Sequence, residues 1–168
     1  MPPKDRGQHI FRRSVYFAWL LGACALAADP PLAPVTVCEI LKDLPIQQGK
    51  DVAVLGRYSF RQSGRWIAEQ ACDPASPEAQ LLWLTEDSAS APKPPNNFEL
   101  DGAALNRKFT EMRRRTSLGK FRFGSSDYDR WAVVYGRVMS RKGEAARQAP
   151  ADLVFRGSGV VVFLTIEK

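Results

Sequence analysis

Val52, Val54, Tyr58 and Phe60 alternate with Ala53, Leu55, Arg57 and Ser59, and Gly56 takes the middle of the more apolar row. Period two sustained over this length predicts a strand. Gln62-Ser63-Gly64 carries turn residues, so 65–69 (RWIAE) is expected back as the second strand of a hairpin, and 80–85 (QLLWLT) as a third strand. The stretch 131–140 (WAVVYGRVMS) predicts a fourth, and 160–167, with Val160, Val162, Leu164 and Ile166 on one face, a fifth. Between those two, 141–158 reads as a polar connection.

Helical patterns occur twice. Thr36 with Glu39 three residues on is a capping box, and Val37, Ile40, Leu41 and Leu44 form a stripe that Pro45 is expected to end. Asp101 caps a second stretch reaching Thr116, with Leu105, Phe109 and Met112 on one face and Gly119 after its end. Residues 86–96 (EDSASAPKPPN) are too rich in Ser and Pro for regular structure and read as a surface loop within one domain.

The order is therefore a leading helix and then β-β-β-α-β-β: mainly β with two helices. A mid-strand glycine recurs in Ala53-Val54-Leu55-Gly56-Arg57 and Val133-Val134-Tyr135-Gly136-Arg137, as the sharp bends of a small closed barrel require. With the helix between strands three and four, this order resembles the OB-fold, a five-stranded barrel, over residues 48–168. In detail the chain is similar to secreted bacterial OB-like proteins of unassigned function, in which a cysteine-bearing helix precedes the first strand and a second cysteine follows the second. The resemblance implies a fold and a disulfide, and no reaction.

The N-terminus changes the picture of where the chain goes. Arg12-Arg13 precede an uncharged apolar run, 14–27 (SVYFAWLLGACALA), that Asp29-Pro30-Pro31 stops short of the roughly 20 residues a membrane span needs. This reads as a signal peptide, cleaved after Ala27, or at Cys24 if Leu21-Gly22-Ala23-Cys24 is a lipobox and Cys24 is lipidated. The expected organisation is a signal peptide 1–27 (1–23 for a lipoprotein), a proline-rich spacer 28–35 and a single OB-like domain 36–168. Export takes the chain to the periplasm, the exterior or a lipid anchor in the envelope. Residues 1–27 also carry four cations against one acid, half of the chain's net charge of +6. Cys38 and Cys72 then remain as an even pair in an oxidising compartment, where a bridge is expected. Two buried thiols or a redox pair are the alternatives.

Candidate chemistry is thin. His9, the only histidine, lies in the leader, so Ser-His-Asp and Cys-His systems cannot be built in the mature chain and zinc loses its commonest ligand. No phosphate-binding glycine loop is present, and no cofactor or metal is expected. Carboxylates remain, Glu69, Asp73, Glu86, Asp87, Asp127 and Asp129, of which two across a cleft would be needed for a hydrolase. Residues 125–129 (SSDYD) lack the order of a calcium loop.

Two binding surfaces follow instead. OB barrels bind ligands on the face of strands two and three, where Trp66, Trp83, Arg57 and Arg65 fall. The competing reading makes the tryptophans barrel filling. Between Arg107 and Arg122 stand seven cations, including Arg113, Arg114, Arg115, Lys120 and Arg122, against Glu111 alone, a possible contact for anionic lipid or polysaccharide. The sequence thus points to a monomeric, non-enzymatic binding module of the bacterial envelope. Its expected partner is an envelope protein or glycan, nucleic acid is disfavoured outside the cytoplasm, and a membrane is met only through a lipid anchor.

Overall fold

The computed structural model describes residues 29–72, 80–119 and 127–165. Five strands close on themselves: β2 (Asp51–Arg61), β3 (Gly64–Glu69), β4 (Gln80–Glu86), β5 (Tyr128–Ser140) and β6 (Ala151–Phe155). Their order around the barrel is β2-β3-β4-β6-β5 and back to β2, antiparallel except for the parallel β4–β6 pair. This is an OB-like barrel, with α3 (Gly102–Arg115) between the third and fourth barrel strands. The Gly56 and Gly136 positions face inward, where an added Cβ would lie 2.6 Å from Ile67 Cγ1 and 2.6 Å from the Val154 carbonyl oxygen respectively. The walls approach there too closely for a side chain.

Period two sorts the strands into two surfaces. Ile67, Leu82, Val138, Leu153 and Phe155 fill the interior and are fully buried, each contributing about 1.5–3 kcal/mol. One end of the barrel is covered by α1 (Val37–Lys42), which buries Val37 and Ile40, while α3, which buries Ala104 and Met112, sets its Phe109 edge-on against Trp131 of β5. The Thr36–Glu39 capping box forms as expected, and Asp101 accepts hydrogen bonds from the Ala103 and Ala104 amides. Cys38 in α1 is bridged to Cys72 just after β3.

Several expectations need correction. The fifth barrel strand is not 160–167 but Ala151–Phe155, inside the stretch read as a polar connection. Its ADLVF pattern alternates, but it is short and follows a run of charged and small residues. The 160–167 strand is real only as β7 (Val161–Phe163), and residues 166–168 lie outside the described residues. Both β6 and β7 pair antiparallel with the same edge of β5, at Gly136–Ser140 and Ala132–Val134, so they form one barrel strand interrupted by an excursion over 156–160. Pro45 does not end the leading helix. The break is at Asp43, and Pro45 sits in the first turn of α2 (Leu44–Gln47), where its missing N–H has no partner to lose.

With α4 (Ala145–Gln148), the described residues hold four α-helices rather than two, the extra pair being single turns. The proline-rich segment is no free spacer either. Leu32 exchanges backbone hydrogen bonds with Glu99 and Asp101, and β1 (Val35–Thr36) pairs in parallel with Val54–Leu55.

Candidate functional site

Trp66 on β3 and Trp83 on β4 are directly opposed in register and share the outer face of the barrel. Their rings stack, 5.7 Å apart at 23°, and both are half-buried rather than packed in the interior. Gly64 is part of the reason, because a Cβ there would run into the Trp83 ring, which occupies that space at the start of β3. Arginines flank the pair: Arg61 lies 5.9 Å from the Trp66 ring centre and Arg141 5.5 Å from that of Trp83. The result is a row of cation, two indoles and cation across three strands. Asp152 faces the same surface, accepting from Thr85 at 3.1 Å and meeting Arg141 at 3.4 Å. Arg141 Nη1 is buried without a hydrogen-bond partner.

The cations expected beside the tryptophans lie elsewhere. Neighbouring strand residues point to opposite faces, so Arg65 turns into the barrel mouth, over the Phe155 ring at 5.3 Å and paired with Glu86 at 2.6 Å. Arg57 does share the outer face but reaches the end of α3, donating to the Ser117 carbonyl at 3.1 Å. Arg61 was recoverable from the sequence, since it has the parity of Ser59, which opposes Trp66. Arg141 was not, because it follows the end of β5 in a stretch without pattern.

The basic segment is partly committed to the fold. Arg115 pairs with the fully buried Glu69 at 3.0 Å, and Lys108 with Glu39 at 2.6 Å. Arg113 lies over the Phe109 ring and, like Arg107 and Arg114, is exposed. Lys120 and Arg122 lie outside the described residues, as do Cys24 and Asp73.

The remaining carboxylates are structural partners. Asp129, one of the carboxylates a hydrolase would draw on, is buried in β5 and accepts hydrogen bonds from the Ser59 hydroxyl at 2.6 Å, Arg61 at 2.8 Å and the Gly119 amide at 3.0 Å. Burial pushes its carboxyl up, but the Ser59 and Arg61 bonds outweigh this and hold it below the ordinary aspartate value. Asp87 closes a turn by accepting from the Ala89 and Ser90 amides. Glu69 also accepts from the Cys38 amide, and one of its oxygens lies within 4.8 Å of both cysteine sulfurs, which are committed to each other in the bridge.

No helix among the described residues is long and apolar enough to cross a membrane. Comparison with family models, with curated proteins and with solved structures returned no match to this chain.

Proposed function

We propose that this chain is an exported, non-enzymatic binding module of the bacterial envelope that lays an extended anionic glycan across the outer face of β3 and β4. The observation that carries the reading is the Arg61–Trp66–Trp83–Arg141 row. Indole faces stack on the apolar faces of sugar rings, and the flanking guanidinium groups, Arg61 held by Asp129 and Arg141 by Asp152, lend positive charge toward carboxylate or sulfate substituents. The row crosses strands two and three of the barrel, the surface that OB-folds use for oligomeric ligands. Arg141 starts the connection between the last two barrel strands, and its pairing with Asp152 at 3.4 Å holds the guanidinium beside Trp83. The basic, apolar N-terminus and the Cys38–Cys72 bridge support export.

Titrating the purified mature protein with alginate and with neutral dextran, read by tryptophan fluorescence, tests this. Saturable quenching by alginate alone is expected, weakened roughly tenfold by Trp66→Ala or Trp83→Ala. Equal binding of dextran, or alginate binding indifferent to both substitutions, would overturn it. The second reading, contact with anionic lipid through the basic segment, is favoured by the exposed Arg107, Arg113 and Arg114. Its test is phosphatidylglycerol vesicles against Arg113→Gln with Arg114→Gln, because Arg115 cannot be changed without disturbing Glu69.

A further inference from the structure

At the barrel end away from α1 the interior opens into a cavity of about 190 Å³, bounded by Tyr58, Phe60, Arg65, Tyr128, Phe155 and Phe163. Five of these six are aromatic, and they form a structured wall. Tyr128 stacks on Phe60 at 5.5 Å and on Tyr58 at 6.0 Å, while Phe163 meets Tyr58 edge-on at 5.5 Å. Filling alone does not account for this arrangement, since the space between the rings is left open and Phe163 is 38% exposed at its rim.

The excursion over 156–160 shapes the opening. An uninterrupted strand from Ala151 to Phe163 would carry its backbone along β5. Instead the chain leaves at Arg156, which donates to the Ala91 carbonyl at 3.0 Å, turns through Gly157 at φ 103° and returns at Val161. Ser158 and Val161 thereby join the cavity rim.

The polar groups are asymmetric in charge. Arg65 reaches in from β3, and Arg130 lies over the Phe163 ring at 4.8 Å. The acid paired with Arg65, Glu86, is 46% exposed at the end of β4, where a ligand carboxylate can compete with it for the guanidinium, which also hydrogen-bonds the Tyr58 hydroxyl. Tyr58 is 4% exposed and its hydroxyl accepts from Arg65, while burial raises its phenol above the ordinary value.

We infer that the barrel mouth is a second binding site, separate from the Trp66–Trp83 face, for a small ring-bearing carboxylate. The ring enters between Tyr58, Tyr128 and Phe163, and the carboxylate replaces Glu86 on Arg65. The volume admits a ligand of about ten heavy atoms, below the usual size of a cofactor pocket.

The test is calorimetric titration of the mature protein with phenylacetate, benzyl alcohol and benzylamine, three probes of matched ring size and different charge. Phenylacetate alone should bind saturably. Arg65→Met, which keeps the stem over Phe155, should weaken it by about tenfold or more. Glu86→Gln removes the competing acid from an exposed position and should tighten it, an effect that damage to the fold could not mimic. Trp66→Ala should leave it unchanged. Binding of the amine or alcohol as strongly as the acid, weaker binding after Glu86→Gln, or no saturable binding of phenylacetate up to about 10 mM would each overturn the assignment.

Discussion

Replacing both Cys38 and Cys72 by serine removes a cross-link that closes a span of 34 residues, from α1 around the β2–β3 hairpin. The chain-entropy relation for a loop of that size gives a destabilisation of about 3.8 kcal/mol at 25 °C. The site offers little to offset it: α1 covers one end of the barrel with only Val37 and Ile40 buried, and its other side-chain ties are the Cys38 amide to Glu69 and Glu39 to Lys108. At roughly 2–8 °C per kcal/mol for domains of this size range, the melting temperature should fall by on the order of 10 °C. Differential scanning calorimetry of wild type and double variant in non-reducing buffer measures this. Wild type with excess reductant should melt where the variant does. Intact mass after alkylation provides the covalent check, with two alkyl groups taken up by the protein lacking residues 1–27 only after reduction. A variant melting within about 2 °C of wild type would refute the entropic reasoning, and alkylation without reduction would refute the bridge itself.

Two further outcomes test the barrel. Gly136→Ala places a methyl 2.6 Å from the Val154 carbonyl oxygen, a backbone atom that cannot step aside, and should cost about 1–3 kcal/mol in urea denaturation; an unchanged midpoint would mean that β5 and β6 are not held at this distance. Asp129 has a folded-state carboxyl value depressed below that of the unfolded chain, so its contribution is fully present above about pH 4 and is lost as pH falls through the folded value. Asp129→Asn should therefore be less stable at neutral pH and show a flatter acid limb, read by urea midpoints across the acid range; a steeper limb would reverse the sign.

The barrel was legible because it depends on period two and on glycines where walls meet, both local signals. The first hairpin and the strand through Val133–Gly136 fall where alternation puts them, and Asp101 and Thr36 start helices because their side chains serve the first turn. Ala151–Phe155 was missed for an equally physical reason. Five residues give too little alternation to outweigh their surroundings, and what makes them a strand is the pairing on both sides, to β4 and β5, from residues far away in the chain. The site divided in the same way. Trp66 and Trp83 could be assigned to adjacent strands, but their register and Arg115's commitment to a buried acid are tertiary facts. Side-chain direction could have separated Arg65 from Trp66, since residues adjacent on a strand cannot share a face.

The two seams that close the barrel join residues far apart in time as well as in sequence. Leu82 pairs with Ala151 and Val54 with Val134, so the β2–β3–β4 meander has no partner for either edge until the last part of the chain has been made. Pairings of such long range are slow, and a three-stranded meander with both edges open is not a stable product on its own. A nascent chain of this design cannot close its barrel while only the meander has been made. Cooperative collapse then awaits the arrival of Ala151–Phe155 and Val161–Phe163, which supply the missing partners of β4 and β5.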